Sequence, residues 1–543
     1  MQNASEKIYS ILKDLASDLG ANDINFSVEK PKDQSHGDLA SNIALILAQK
    51  LKKKPMDVAG EIAEELSLEK DLISEIKIAE PGFINFYFSK DYLGKQIQDI
   101  IEKGGSYGSS EVGRGKKVSV EFVSANPTGP LHIGNARGGP LGDTIANVLS
   151  KAGYSVKREY LHNDVGGQID RLGESIYFTL NPGQKPENYE VQYQGEYIKE
   201  LAEDVEESLA SDDGLSQEEF IEKAGKIAVE IMLDEILKDC QSMGIEFDKV
   251  RKESDLRREV SQSLDKIKNS LKENEGALWF APNDEFLKDR ETVVKKSDGQ
   301  YTYFASDIAY HWEKMSQNDI VIDILGANHS GHVPRLKAVV KALGFEPDNL
   351  KVLLYQWIRL KRGDEIVKMS KRAGNFVTAK EVLDEVGKDA FRFFLLMPRS
   401  QTHMDFDLEL AKKKASDNPV FYVQYAYTRI CSIFTKSQAS NPKSQDYKDA
   451  DLTLLKSQEE INLIRYLIKF PYLIEEIASS LEVNALTTYA LELSSLFHKF
   501  YEKEQVISKD EKLTQARLAL LKATQVALKN TLNLLGVSTP ESM

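Results

Sequence analysis

The sequence predicts an α/β fold with a buried parallel sheet, preceded by a small α+β module and followed by an all-α domain. Three observations carry this. A strand–turn–helix–strand unit runs from Val118 to Leu161, an amphipathic helix and two short strands precede it, and from about residue 407 the chain reads as helix to its end. At 543 residues, and about 150 residues per domain, three or four domains are expected.

Residues 1–110 form the first module. Ile8, Ile11, Leu12 and Leu15 lie on one helical face. Asp38 is placed to cap a second helix that uses Leu39, Ile43, Leu47 and Leu51 and stops at Pro55. Ile76–Ile78 and Gly82–Phe88 read as strands joined at Pro81-Gly82, and the glycine- and serine-rich stretch Gly104–Gly115 reads as a linker.

The catalytic region is expected over residues 111–406. Val118, Val120, Phe122 and Val123 make a short run suited to a strand buried on both faces. Asn126, Pro127, Gly129 and Pro130 end it in a turn. Helical spacing follows through Leu141, Ile145, Val148 and Leu149, then a second strand from Ser155 to Leu161. A turn beyond the carboxyl end of such a strand is where these folds bind ligands. His132 and Asn135, three apart, share a face of the first helical turn, and Gly134 lets a flat base approach the backbone. Backbone N–H groups, an imidazole and an amide there suit phosphate oxygens. Glu121 interrupts the buried strand, so a cationic partner is expected for it.

Residues 182–290 read as a charge-rich helical insertion. Strands are expected at Glu291–Val294 and Tyr301–Tyr303, and Tyr303 and Asp307 share a face if a helix starts there. Ile320–Leu325 is an apolar strand. Beyond it, His329 and His332 lack a cysteine or a third ligand, so they read as pocket lining and no metal site is expected. Residues 407–543 form the helical domain, its last helix lined by Leu521, Leu528, Leu532 and Leu535 and closed by Gly536.

Composition excludes several classes. Cys240 and Cys431 are the two cysteines and support neither a disulfide framework nor a cysteine zinc site. The N-terminus mixes charges with apolar residues, unlike a signal peptide, and no apolar run approaches the ~20 residues a membrane span needs. A net charge of −15 argues against charge-driven DNA binding, leaving local basic patches: Lys52–Lys54, Lys116-Lys117, Lys361-Arg362, Lys371-Arg372 and Lys412–Lys414. Gly225-Lys226 lacks the rest of a P-loop, having Phe220 where the first glycine belongs. Gly113-Arg114-Gly115 precedes its strand and has Val118 where a dinucleotide fingerprint needs glycine.

Pro130-Leu131-His132-Ile133-Gly134-Asn135 resembles the HIGH signature of class I aminoacyl-tRNA synthetases, with Asn in place of the last His. Lys368-Met369-Ser370-Lys371-Arg372 resembles their KMSK loop. Ser35-His36-Gly37-Asp38, Pro81–Phe86, Tyr160–Gln168, Phe247–Ser254 and Asn418–Tyr427 resemble the arginyl-tRNA synthetase family in particular, so the likeness spans nearly the whole chain.

The resemblance implies a Rossmann-like catalytic domain that ligates L-arginine to tRNA(Arg) through an adenylate, with ATP and Mg²⁺. It implies catalytic roles for His132, Asn135, Lys368 and Lys371, and ATP contacts from Pro130, His132, Gly134, Asn135, Met369 and Lys371. Arginine contacts would come from Glu121, Asn126, Glu253, Tyr303 and Asp307. Phe83 and Asn85 would meet the tRNA D-loop, and Tyr422 and Tyr425 the anticodon. A cytoplasmic, monomeric enzyme is expected. The alternatives are a class I synthetase for another amino acid, a nucleotidylyltransferase and an inactive tRNA-binding paralogue.

Overall fold

The computed structural model describes residues 4–31, 36–66, 71–212, 214–287, 290–367, 377–440 and 449–543. The N-terminal module comprises α1 (Ala4–Asp18), β1 (Val28–Glu29), β2 (Leu39–Ser41), α2 (Ile43–Leu51), α3 (Pro55–Leu66), β3 (Ile73–Ala79) and β4 (Phe83–Phe88). Its antiparallel strands are ordered β1-β2-β4-β3. Ile8 and Leu12 of α1 and Ile43 and Leu47 of α2 are buried, as their spacing requires.

Asp38 does not cap a helix. Leu39–Ser41 pair with Ile84–Phe86 instead, and the Asp38 carboxylate accepts from the Phe88 N–H at 2.8 Å and pairs with Arg465 at 2.6 Å. Long-range pairing here outweighs a local capping signal. Pro55 opens α3 rather than ending the helical stretch, because its missing N–H costs nothing in a first turn.

α4 (Lys90–Lys103) leads to a linker whose first residues are fastened to the C-terminal domain. The Tyr107 hydroxyl donates to the Leu467 carbonyl at 2.9 Å, and the Asn530 amide donates to the Gly104 carbonyl at 2.9 Å.

The catalytic region continues as β5 (Lys117–Glu121), α5 (Ile133–Ala136), α6 (Gly138–Lys151), β6 (Ser155–His162), α7 (Gly167–Leu180), α8 (Glu196–Leu209), α9 (Gln217–Ser242) and β7 (Lys249–Lys252). After these come α10 (Glu253–Lys266), β8 (Leu271–Asn274), β9 (Ala277–Phe280), β10 (Thr292–Lys295), α11 (Tyr303–Gln317), β11 (Ile320–Gly326), α12 (Val333–Ala342) and β12 (Leu350–Tyr355). The main sheet is parallel throughout, in the order β12-β11-β5-β6-β7. Val118, Val120 and Phe122 are fully buried, and β5 is its central strand.

Two expectations change. The stretch 182–290 is helical through α8 and α9, but it returns to the main sheet as β7 and then forms β8 and β9, β9 pairing with both β8 and β10. Their four-residue length hides them inside a charged sequence. Tyr301 makes an isolated bridge to Lys295, and Tyr303 already begins α11, so no strand spans 301–303.

The chain next forms β13 (Ile358–Arg362), β14 (Glu365–Ile366), α13 (Ala379–Val386), α14 (Lys388–Leu396) and β15 (Met404–Asp407), with β13 between the other two strands. Helices α15 (Leu408–Lys412), α16 (Pro419–Ser440), α17 (Gln458–Leu467), α18 (Phe470–Ser480), α19 (Asn484–Lys503) and α20 (Glu511–Leu535) complete it. Gly536 closes α20 at φ +68°, as expected. Buried Arg392 ties the regions together: it donates to the Leu535 carbonyl at 2.7 Å, the Met243 carbonyl at 3.0 Å and Asp143 at 2.6 Å. Several expected basic patches are spent on carboxylates: Arg362 and Lys412 on Glu385 and Glu409, Lys413 on Asp417.

α6 lies so close to β5 that a Cβ on Gly142 would fall inside the Phe122 ring. Gly142→Ala should therefore push helix and strand apart at a cost of about 1–3 kcal/mol, partly recovered by Phe122→Leu. Urea denaturation checks this, and an unchanged midpoint in Gly142→Ala would show that the spacing relaxes freely.

Candidate active site

β5 stops at Glu121, short of the expected run. Val123 (φ +67°) and Ser124 (φ +36°) adopt left-handed backbone, which a β-branched residue rarely tolerates. The Ser124 hydroxyl accepts from the Leu161 N–H at 3.0 Å, which helps hold the turn. Strain of this kind persists only where surroundings impose it, and it delivers the chain to the turn at residues 126–137.

His132 caps α5. Its Nδ1 accepts from the Gly134 N–H at 2.9 Å, so the neutral ring carries its proton on Nε2. Asn135 is exposed on the same short turn. The segment is stitched to a distant one: His132 bridges Thr378, the Ile133 N–H donates to the Val377 carbonyl at 3.2 Å, and the Ala379 N–H donates to the Leu131 carbonyl at 2.7 Å. Lys368, Met369, Ser370, Lys371 and Arg372 lie outside the described residues. The chain resumes in the described residues at Val377, and Val377–Ala379 are bonded to the His132 turn. Arg137, which the sequence did not single out, is buried and donates to the carbonyls of Gln356 (2.6 Å), Thr402 (2.9 Å) and Arg399 (3.0 Å).

The cationic partner expected for Glu121 is Lys314, at 2.7 Å. Lys314 also meets Asp323 at 2.6 Å, and Asp323 meets His311 at 2.9 Å, all buried. Burial disfavours the Lys314 ammonium, but Asp323 and Glu121 outweigh it and hold the group above its ordinary value. Glu121 is thus paired within the protein through Oε2.

Glu253, at the start of α10, is 4% exposed, and burial pushes its carboxyl up to about 7 against the opposing hydroxyl of Ser306 (3.1 Å) and Arg257. Asp307 stands one turn into α11, and burial likewise pushes it up to about 6, with His311 opposing. Tyr303, 48% exposed, lies in the field of Glu253, and its hydroxyl fills the space a Cβ on Gly166 (φ +102°) would need. Asn126 is exposed, its side-chain amide 3.4 Å from that of Asn163. Two carboxyls that resist ionisation, an aromatic hydroxyl and amides so converge at the carboxyl ends of β5 and β6. Such a pocket suits a cation, whose charge would favour the ionised carboxylates.

Among the described residues, His162, Asp164 and Glu230 form a cluster of metal-ligand type. Both Asp164 oxygens are taken by Ser254, and Glu230 holds Lys252 at 2.5 Å, so no metal is assigned there. His329 and His332 lie side by side on the short helical turn after β11, their rings 5.5 Å apart and tilted by 54°.

Of the outer residues, Phe83 is 40% exposed, whereas Asn85 on the same strand is buried at 5%, paired in register with Ala40 and Lys77. Tyr422 and Tyr425 on α16 pack about His498 at 4.9 and 6.0 Å between ring centres, with Arg429 over Tyr425.

The parallel sheet, with the His132 turn beyond its central strand, is the catalytic architecture of class I aminoacyl-tRNA synthetases. Residues 96–405 match the family described as tRNA synthetases class I (R), catalytic domain; residues 2–88 match the arginyl tRNA synthetase N-terminal domain, and 423–543 the DALR anticodon binding domain. The arginine--tRNA ligase of Carboxydothermus hydrogenoformans is 42% identical over 530 residues, covering 96% of this chain and 95% of the relative. That of Bacillus subtilis is 41% identical over 532 residues, covering 96% and 94%. The arginyl-tRNA synthetase structure from Thermus thermophilus superposes with a TM-score of 0.77 at 22% identity, covering 99% of this chain and all of that one. The chain belongs to the arginyl-tRNA synthetase family.

Raised carboxyl values make this pocket a cost to the fold. Glu253 and Asp307 in the folded protein hold protons that the unfolded chain releases near 4.5 and 3.8. Stability is therefore lost as pH rises from about 4 to about 7. Asp307→Asn and Glu253→Gln should flatten that slope and raise the melting temperature near pH 8. Melting curves across pH check this, and parallel curves for parent and variants would show that neither carboxyl is strained.

Proposed function

We infer that this chain is an ATP-dependent arginine--tRNA ligase that joins L-arginine to tRNA through an arginyl-adenylate, releasing pyrophosphate and AMP. The observation that carries it is the meeting of the His132 turn with the flank of the Lys368–Arg372 loop, next to a pocket of buried, reluctant carboxyls. Arginine's carboxylate is ionised at neutral pH, so its attack on the α-phosphorus of ATP needs no general base. Alignment and stabilisation of charge on phosphate oxygens suffice. His132, through Nε2, and Asn135 are proposed to donate from the turn, with Pro130 and Gly134 lining the base and Met369, Lys368 and Lys371 approaching from the loop.

Mg²⁺ is proposed to travel with the nucleotide, held by its phosphates, since the His132–Gly134–Asn135 turn offers donors and no carboxylate. Glu253, Tyr303 and Asp307 are proposed to receive the guanidinium, whose planar fork of N–H groups matches carboxylates. Asn126 and Glu121 are proposed to meet the α-amino end, Glu121 being held in place by Lys314. A ribose hydroxyl of the tRNA then attacks the adenylate carbonyl. Phe83 is proposed to stack on a D-loop base with Asn85 behind it, and Tyr422 and Tyr425 on anticodon bases. We also propose that residues 1–110, 111–406 and 407–543 act as tRNA-contacting, catalytic and anticodon-binding units of a cytoplasmic monomer. No helix among the described residues is long and apolar enough to cross a membrane.

ATP–pyrophosphate exchange with each amino acid, with and without tRNA, tests the reading; exchange driven by an amino acid other than arginine overturns it. Asp307→Ala should cost ~2–5 kcal/mol in arginine binding or activation, leaving ATP and tRNA affinity nearly unchanged. A parental kcat/KM for arginine would remove Asp307 from the pocket. Lys371→Ala should slow adenylate formation by ~3 kcal/mol, on the order of a hundredfold, with arginine affinity preserved, which single-turnover kinetics would show.

A further inference from the structure

The helix that presents Glu253 is not capped from its own sequence. Lys252 occupies the N-cap of α10 and offers no side-chain acceptor. Asp164, in the loop after β6, supplies the missing acceptors. Its Oδ1 accepts from the Ser254 N–H at 2.8 Å and its Oδ2 from the Ser254 hydroxyl at 2.5 Å. The first turn of α10 is therefore held in place by the far side of the pocket.

Asn163, next in the chain to Asp164, controls the carboxylate itself. With its amide nitrogen toward Glu253, it donates to Oε2 at 2.8 Å and to the Val165 carbonyl at 2.9 Å, while its oxygen accepts from Gln168 Nε2 at 2.8 Å. Ser306 donates to Oε1 from the other side. Each carboxylate oxygen of Glu253 so has its own donor on a different element, which sets the plane of the group. The charged groups facing it are Arg257 on α10, Asp307 and Tyr303 on α11 and Asp164 on the loop.

We propose that Asn163 and Asp164 are positioning residues for amino-acid selection, fixing the plane and depth of the Glu253 carboxylate so that it fits a guanidinium better than an ammonium. This rests on the reading of Glu253 as an acceptor of the arginine side chain. The physical ground is geometric: a planar fork makes two parallel bonds only with a coplanar carboxylate, whereas an ammonium bonds from any direction. Loosening the plane therefore penalises arginine more than lysine.

The test is steady-state exchange kinetics on the full-length enzyme, with tRNA present, for Asn163→Ala, Asn163→Asp, Asp164→Ala, Asp164→Asn and Glu253→Gln. Asn163→Ala and Asp164→Ala are expected to lower kcat/KM for arginine on the order of a hundredfold and to narrow the arginine-over-lysine ratio, with KM for ATP within about twofold. Asp164→Asn keeps one acceptor for Ser254 and should recover part of the loss. Asn163→Asp sets a second negative charge against Oε2, so the pH at which kcat/KM for arginine reaches half its maximum should move upward.

If Glu253→Gln leaves arginine selection intact, the reading of Glu253 fails. If Glu253→Gln impairs it while the Asn163 and Asp164 variants keep the parental KM, selectivity and pH profile, the positioning proposal is overturned. Equal losses on ATP and arginine together with a lowered melting temperature would likewise overturn it, marking both residues as structural.

Discussion

One buried ammonium organises the polar half of the catalytic region. Lys314 reaches from α11 to Glu121 on β5 and Asp323 on β11, joining the two strands whose carboxyl ends frame the site. Removing such a group would leave Glu121 without its cation and Asp323 with His311 alone in the interior, where the penalty exceeds anything a surface ion pair returns. The same helix carries Tyr303 and Asp307, so the interaction that makes charge tolerable inside the sheet also sets the register of the specificity pocket. His311 extends the network by bonding Asp323 and the Asp307 carbonyl from one ring.

Around that anchor the site divides its work by backbone and side chain. Backbone strain at Val123 and Ser124 aims the turn, and backbone pairing between residues 131–133 and 377–379 fastens it to a remote segment. Side chains then supply chemistry in two different dielectric settings. The His132 turn is partly open and suits phosphate, which brings its own hydration and charge. Burial raises both carboxyls of the Glu253–Asp307 pocket, so an arriving cation would favour their ionised forms.

Much of the catalytic centre could be read from local pattern. The β5 run, the turn and His132 lie within about twenty residues, and their periodicity suffices. Tyr303 and Asp307 proved to share a helix as their spacing allowed, and Glu121 had the partner that burial demands. Asp38 shows where such reading fails, since the residues that follow it, Leu39–Ser41, were recruited into a strand by β4. The strand β7 escaped notice because four charged-flanked residues carry no period, yet one edge of the main sheet depends on it.

The sequence by itself determined the central strand–turn–helix–strand unit, the terminal helical domain and which residue types stand beyond the central strand, because these follow from hydrophobic period and turn chemistry along neighbouring positions. Tertiary structure alone decided that Lys314 answers Glu121, that Asp164 caps α10 and that Arg137 and Arg392 bind carbonyls from remote segments. Those choices depend on burial, which makes an unpaired charge or donor costly and is a property of the packed chain rather than of any stretch of it.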